Sequence, residues 1–79
     1  MKVQVMKKHI KNGKKENSKR CPVALALREQ GFKNVEVDAT CVHIDDEYYE
    51  VRRGSRFISR FDEGLPVKPT IIELITPRR

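Results

Sequence analysis

Arg52-Arg53-Gly54-Ser55-Arg56-Phe57-Ile58-Ser59-Arg60-Phe61 puts four guanidinium groups within nine residues at the start of a short amphipathic segment. Arginine's planar fork donates two parallel hydrogen bonds to phosphate oxygens. A helix N-terminus adds unpaired backbone N–H groups of the same polarity. Arg52, Arg53, Ser55, Arg56 and Arg60 are therefore candidate phosphate ligands. Lys68 joins them, because Pro66 and Pro69 hold it on a stiff extended stretch that loses little freedom on binding. His9, beside Lys7, Lys8 and Lys11, is a candidate contact to a phosphate or a base. Tyr48 is the candidate for stacking. The competing reading is that the arginines pair with Asp45, Asp46, Glu47, Glu50 and Asp62.

Other reactive residue types lead less far. Cys21 precedes a helix, where the dipole favours a thiolate, but no nucleophile motif surrounds it and only His9 and His43 offer a base. Cys21, Cys41, His9 and His43 are zinc-ligand types without a Cys-x-x-Cys pair. There is no glycine-rich nucleotide loop, RNA-binding aromatic motif or helix-turn-helix pattern. The expectation is a non-enzymatic protein with no cofactor and no metal.

The charge is unevenly spread. Residues 1–20 hold eight Lys/Arg against one Glu, and residues 21–79 hold nine Lys/Arg against ten Asp/Glu. The first quarter thus supplies the whole +6 excess, much of it in a basic loop over residues 11–20. Such a balance attracts nucleic acid, nucleotides or an anionic surface, or simply solvates a loop. A chain of 79 residues makes a single domain, residues 1–79, and buries only about 60% of its unfolded surface. Self-association is a common supplement for so small a core, so a homo-oligomer is expected. No apolar run reaches the roughly 18 residues a membrane span needs, and residues 1–5 lack a signal-like stretch. A cytoplasmic location with no membrane partner is the expectation.

The elements that position these residues read as β-α-β-β-β-α-β. Val3 and Val5 alternate with polar neighbours in a first strand, and His9 to Gly13 forms a turn or single helical turn. Cys21 to Gly31 is a helix, with Pro22 at its first position and Gly31 beyond its end. Val35/Val37, Val42/Ile44 and Tyr49/Val51 are the inward sets of a three-strand meander whose second turn is Asp46-Glu47. A second helix runs from Ser55, as N-cap, to Glu63, with Phe57, Ile58 and Phe61 as its buried stripe. Residues 65–69 are extended, Thr70 to Ile75 is a last strand, and Thr76 to Arg79 a tail. The class is α+β: a small, mainly antiparallel sheet of four or five strands with both helices on one face. The other face is then available for self-association.

Four stretches together carry a resemblance: His9-Ile10 before Gly13, Cys21-Pro22-Val23-Ala24-Leu25-Ala26-Leu27, Arg56-Phe57-Ile58-Ser59-Arg60-Phe61-Asp62, and Gly64-Leu65-Pro66-Val67-Lys68-Pro69. In this order they resemble a group of small bacteriophage- and prophage-encoded proteins with no assigned activity. The resemblance implies a phage accessory protein in a bacterial host cell, and it supplies no catalytic residues. By analogy with anti-defence proteins of this size, it implies sequestration of a nucleotide signal.

Three function classes follow. The first is binding of a nucleotide or other phosphorylated small molecule by Arg52, Arg53, Ser55, Arg56, Arg60 and Lys68, with His9 and Tyr48 nearest the base. The second is sequence-tolerant nucleic-acid binding through residues 7–20 and the arginine helix. The third is inhibition of a host protein through a protein–protein interface.

Overall fold

Alternating β-branched residues build the sheet. Val3 and Val5, Val35 and Val37, Val42 and Ile44, and Ile72 and Leu74 all turn the same way and are buried, while their neighbours face out. The computed structural model describes residues 1–77, with strands β1 (Lys2–Val5), β2 (Val35–Val37), β3 (Cys41–Ile44), β4 (Glu47–Arg53) and β5 (Thr70–Ile75). They form one curled antiparallel sheet in the order β1-β5-β4-β3-β2. Helices α1 (Lys7–Asn12), α2 (Pro22–Glu29) and α3 (Ser55–Asp62) complete the α+β fold. The tail expected over residues 76–79 lies partly outside the described residues, at Arg78 and Arg79.

The core is the inner sheet face packed against α2 and α3. Val23, Ala24, Ala26 and Leu27 of α2 and Ile58 of α3 join the strand residues in one buried cluster. Phe57 is half-buried against it. β5 is inserted between the first strand and the meander, which ties the two ends of the chain together. The Met1 amino group donates to the Leu74 carbonyl at 2.8 Å, and the Leu74 N–H donates back to Met1 at 2.7 Å.

The elements differ from the sequence expectation in four places. His9 to Gly13 is not an isolated turn, because residues 7–12 form a helix of their own. The N-cap of α3 is Gly54 rather than Ser55, which becomes the first helical residue. β4 begins at Glu47, so the preceding turn is Asp45-Asp46, with Asp45 at φ 54°. The helix expected over Cys21 to Gly31 is shorter, Pro22–Glu29, with Gln30 as its exposed C-cap. The basic loop is held in place. The Val37 N–H donates to the Ser18 carbonyl at 2.8 Å, covering the free edge of β2, and the Glu16 N–H donates to Asp62 Oδ1 at 3.0 Å.

Gly54 carries the turn from β4 into α3. Its φ of +113° lies in the left-handed region, and a Cβ there would collide with Ile72 Cδ1 in the core. Gly31 has a similar φ of +108° but open space around it. Gly54→Ala should therefore cost more than Gly31→Ala, about 2–4 kcal/mol against about 1 kcal/mol. Urea unfolding midpoints of the two variants check this, and equal shifts would show that the contact with Ile72 contributes nothing.

Candidate functional site

The antiparallel register sets which cations meet. Val5 pairs with Thr70, so the chain leaving β1 and the chain arriving at β5 cross the sheet end side by side. The first becomes α1, and the second is the extended strap 65–69. On α1, Lys7 and Lys11 are one turn apart and share a face. On α3, Arg56 and Arg60 do the same. The strap runs between the two helices. The Arg60 Nη2 group donates to the Pro66 carbonyl at 3.3 Å, and the Leu65 N–H donates to the Arg60 carbonyl at 2.9 Å.

Two adjoining grooves result. One, of about 380 Å³, is lined by Arg56, Phe57, Arg60 and the strap from Pro66 to Thr70. The other, of about 740 Å³, lies between Lys7, Lys8, Ile10 and Lys11 on one wall and Val67, Lys68 and Pro69 on the other. Val67, Lys68 and Pro69 belong to both. Six cationic side chains line the pair, and no carboxylate does. Of the six, only Lys8 has an acidic partner among the described residues, Glu29 Oε2 at 2.7 Å, and that contact holds the Glu29 carboxyl below its usual range.

The candidate residues separate on this geometry. Arg56, Arg60 and Lys68 come together. Arg52 does not: a bulge in β4 between Val51 and Arg53 sets both Arg52 and Arg53 against Glu73, and Arg52 Nε lies 3.4 Å from Glu73 Oε1. Arg53 and Ser55 are exposed but line neither groove. The expectation of a ligand contact from His9 is corrected. Position 9 lies about 200° around the helix from Lys7, so His9 turns inward and is 5% exposed. Its Nδ1 accepts the Met6 N–H at 2.8 Å, which fixes the first turn of α1. Its Nε2 forms no hydrogen bond, with Glu29 Oε1 standing 3.4 Å away outside bonding geometry. Tyr48 is also misplaced for stacking beside the arginines. It lies on the open sheet face against the His43 ring, 5.1 Å between centroids, and lines neither of these two grooves. Partial desolvation, then the neighbouring Cys41 and Glu50, push its hydroxyl up.

The sequence reading counted residues 7–20 as basic contacts to nucleic acid but did not set Lys7 and Lys11 on one helix face beside the strap. The signal was present in the Lys7/Lys11 spacing, but it became meaningful only once the segment was helical and lay beside the strap.

A third cleft has the opposite sign. It measures about 450 Å³ and is lined by Glu16, Glu36, Asp38 and Asp62 together with Cys21, Cys41 and His43. Its carboxylates disfavour an anion, and no cluster of three or more His, Cys, Asp or Glu suited to a metal occurs among the described residues. Both cysteines are free thiols. No family model, curated protein or solved structure matches the chain.

Burial pushes the Cys21 thiol up, and the N–H groups of Ala24 and Val23 at the start of α2 offset only part of that shift. The folded state thus prefers the neutral thiol, whereas the unfolded chain ionises at the ordinary thiol value. The stability this contributes is complete below the ordinary value and is lost as pH rises through and above it. Alkylation by iodoacetamide should accordingly be much slower at Cys21 than at half-buried Cys41, and urea midpoints should fall in alkaline buffer less for Cys21→Ala than for the parent. Equal alkylation rates at the two thiols would contradict this.

Proposed function

We propose that this protein binds a phosphate-bearing polyanion along the strap, without transforming it. The reading rests on one observation: Lys7, Lys8, Lys11, Lys68, Arg56 and Arg60 line two adjoining grooves from which acidic side chains are absent. Like charges gathered on a small domain repel one another, and a polyanion relieves that repulsion while releasing its condensed counterions.

The division of the site supports a chain of phosphates over a compact ligand. A single nucleotide fills one groove and leaves the cations of the other unmet, whereas a phosphodiester strand crossing the strap meets both. Lys68, shared by the two, is the hinge of this arrangement. The proline-flanked strap adds preorganisation, since its backbone gives up little freedom on binding.

Cation contacts of this kind give non-specific dissociation constants of about 1–100 µM at physiological salt. Lys68→Ala should weaken binding of an oligonucleotide and reduce the slope of log K against log salt by about 0.7 for a single strand. Arg56→Ala with Arg60→Ala should reduce that slope by about twice as much. Arg52→Ala with Arg53→Ala, away from the grooves, should leave both affinity and slope close to the parent. Fluorescence anisotropy across a salt series checks all three. Tight one-to-one binding of a mononucleotide that ignores salt would overturn the polymer reading in favour of a small-ligand pocket.

A further inference from the structure

The larger groove is not lined by charge alone. Between Lys7, Lys8 and Lys11 on one side and Lys68 on the other lie Ile10, Val67 and Pro69. Ile10 and Val67 are half-buried, whereas Lys7, Lys8, Lys11 and Lys68 are exposed. Past Lys7 and Pro69 the surface continues into a shallow depression of about 610 Å³ that holds Met6 and Ile71, 45% and 55% exposed. No acidic side chain lines this extension either. The result is an apolar floor with a lysine rim.

Resting on the phosphate-binding reading above, we infer that the ligand is a single-stranded nucleic acid whose bases lie on this floor while its phosphates meet the rim. A duplex offers the protein its phosphates and the polar edges of its bases, and keeps the flat base faces stacked inside. It would dehydrate Val67, Pro69, Met6 and Ile71 without giving them an apolar partner. An unpaired strand exposes base faces at the same spacing as its phosphates, which is the combination that single-strand grooves use. An anionic membrane asks for apolar side chains that project beyond the cations, whereas Ile10 and Val67 are half-buried between exposed lysines. The larger groove and its extension contain no aromatic side chain, so each base on this floor gains aliphatic and proline-ring contact rather than aromatic stacking.

The test compares a labelled oligothymidylate, the same strand paired with oligoadenylate, inorganic polyphosphate and phosphatidylglycerol vesicles, all at one salt concentration. The full chain should bind the single strand about tenfold more tightly than the duplex, given the apolar area covered. Val67→Ser, and separately Met6→Ser at an exposed position where folding is not at stake, should each cost the single strand several-fold in affinity. Neither should weaken polyphosphate binding comparably. Equal affinity for single strand and duplex, or equal losses for oligothymidylate and polyphosphate, overturns the base-contact inference and leaves phosphate binding standing. Failure to bind any of the three polyanions overturns the phosphate reading itself. Binding to vesicles without binding to oligothymidylate overturns both in favour of a lipid surface.

Discussion

The place of β5 between β1 and β4 is the constraint on which the rest of the molecule depends. β1 has no other strand partner, and the meander β2-β3-β4 would otherwise end at an open edge on β4. Ile72 and Leu74 are wholly buried at this junction and link the two halves of the core. Ile72 also fills the space beside Gly54, so the left-handed turn that launches α3 is fixed by the same residue. Once Thr70 is set opposite Val5, the strap must arrive where α1 departs. The basic grooves are a consequence of strand register.

Helix α3 then sorts the charge. Arg56 and Arg60 occupy one face, while Ile58 and Asp62 occupy another about 200° away. The arginines look toward the strap, and Asp62 looks toward the carboxylate-lined cleft. Asp62 also accepts the Glu16 N–H, which holds the loop after α1 on the acidic side. The lysines of that loop consequently do not extend the grooves. What concentrates potential at the strap is the separation of opposite charges by one two-turn helix, with the net charge of the chain as background.

Much of the fold was legible in the sequence because its strands alternate strictly. Val3/Val5, Val35/Val37 and Val42/Ile44 allow one inward choice each, and a slip of one residue would expose all of them. The helix of residues 22–29 was legible from Pro22 and Gly31. The helix of residues 7–12 was not, since six residues with one half-buried isoleucine carry too little periodicity and Met6 is no usual N-cap. His9 serves the first turn instead, through Nδ1, and its burial could not be read from its lysine neighbours. At the site, Arg56, Arg60 and Lys68 were legible as a basic helix face and a proline-held lysine. Arg52 and Arg53 fall outside the grooves, because a bulge opposite Glu73 is a property of strand pairing, which local composition does not contain.

The grooves offer N–H donors and apolar contact, with one hydroxyl at Thr70. Arg56, Arg60, Lys7, Lys8, Lys11 and Lys68 supply the donors, and no carboxylate, histidine or cysteine side chain lines either groove. The two histidines and Cys21 lie elsewhere. His9 is inside α1 with Nδ1 occupied, His43 is on the opposite sheet face, and Cys21 is a buried thiol on the acidic side of α3. On the proposed reading, a lining of cationic donors with aliphatic, proline and Phe57 contacts holds a polyanion by charge and by covering apolar area. Binding of that kind would weaken as salt or a competing polyanion displaces the strand.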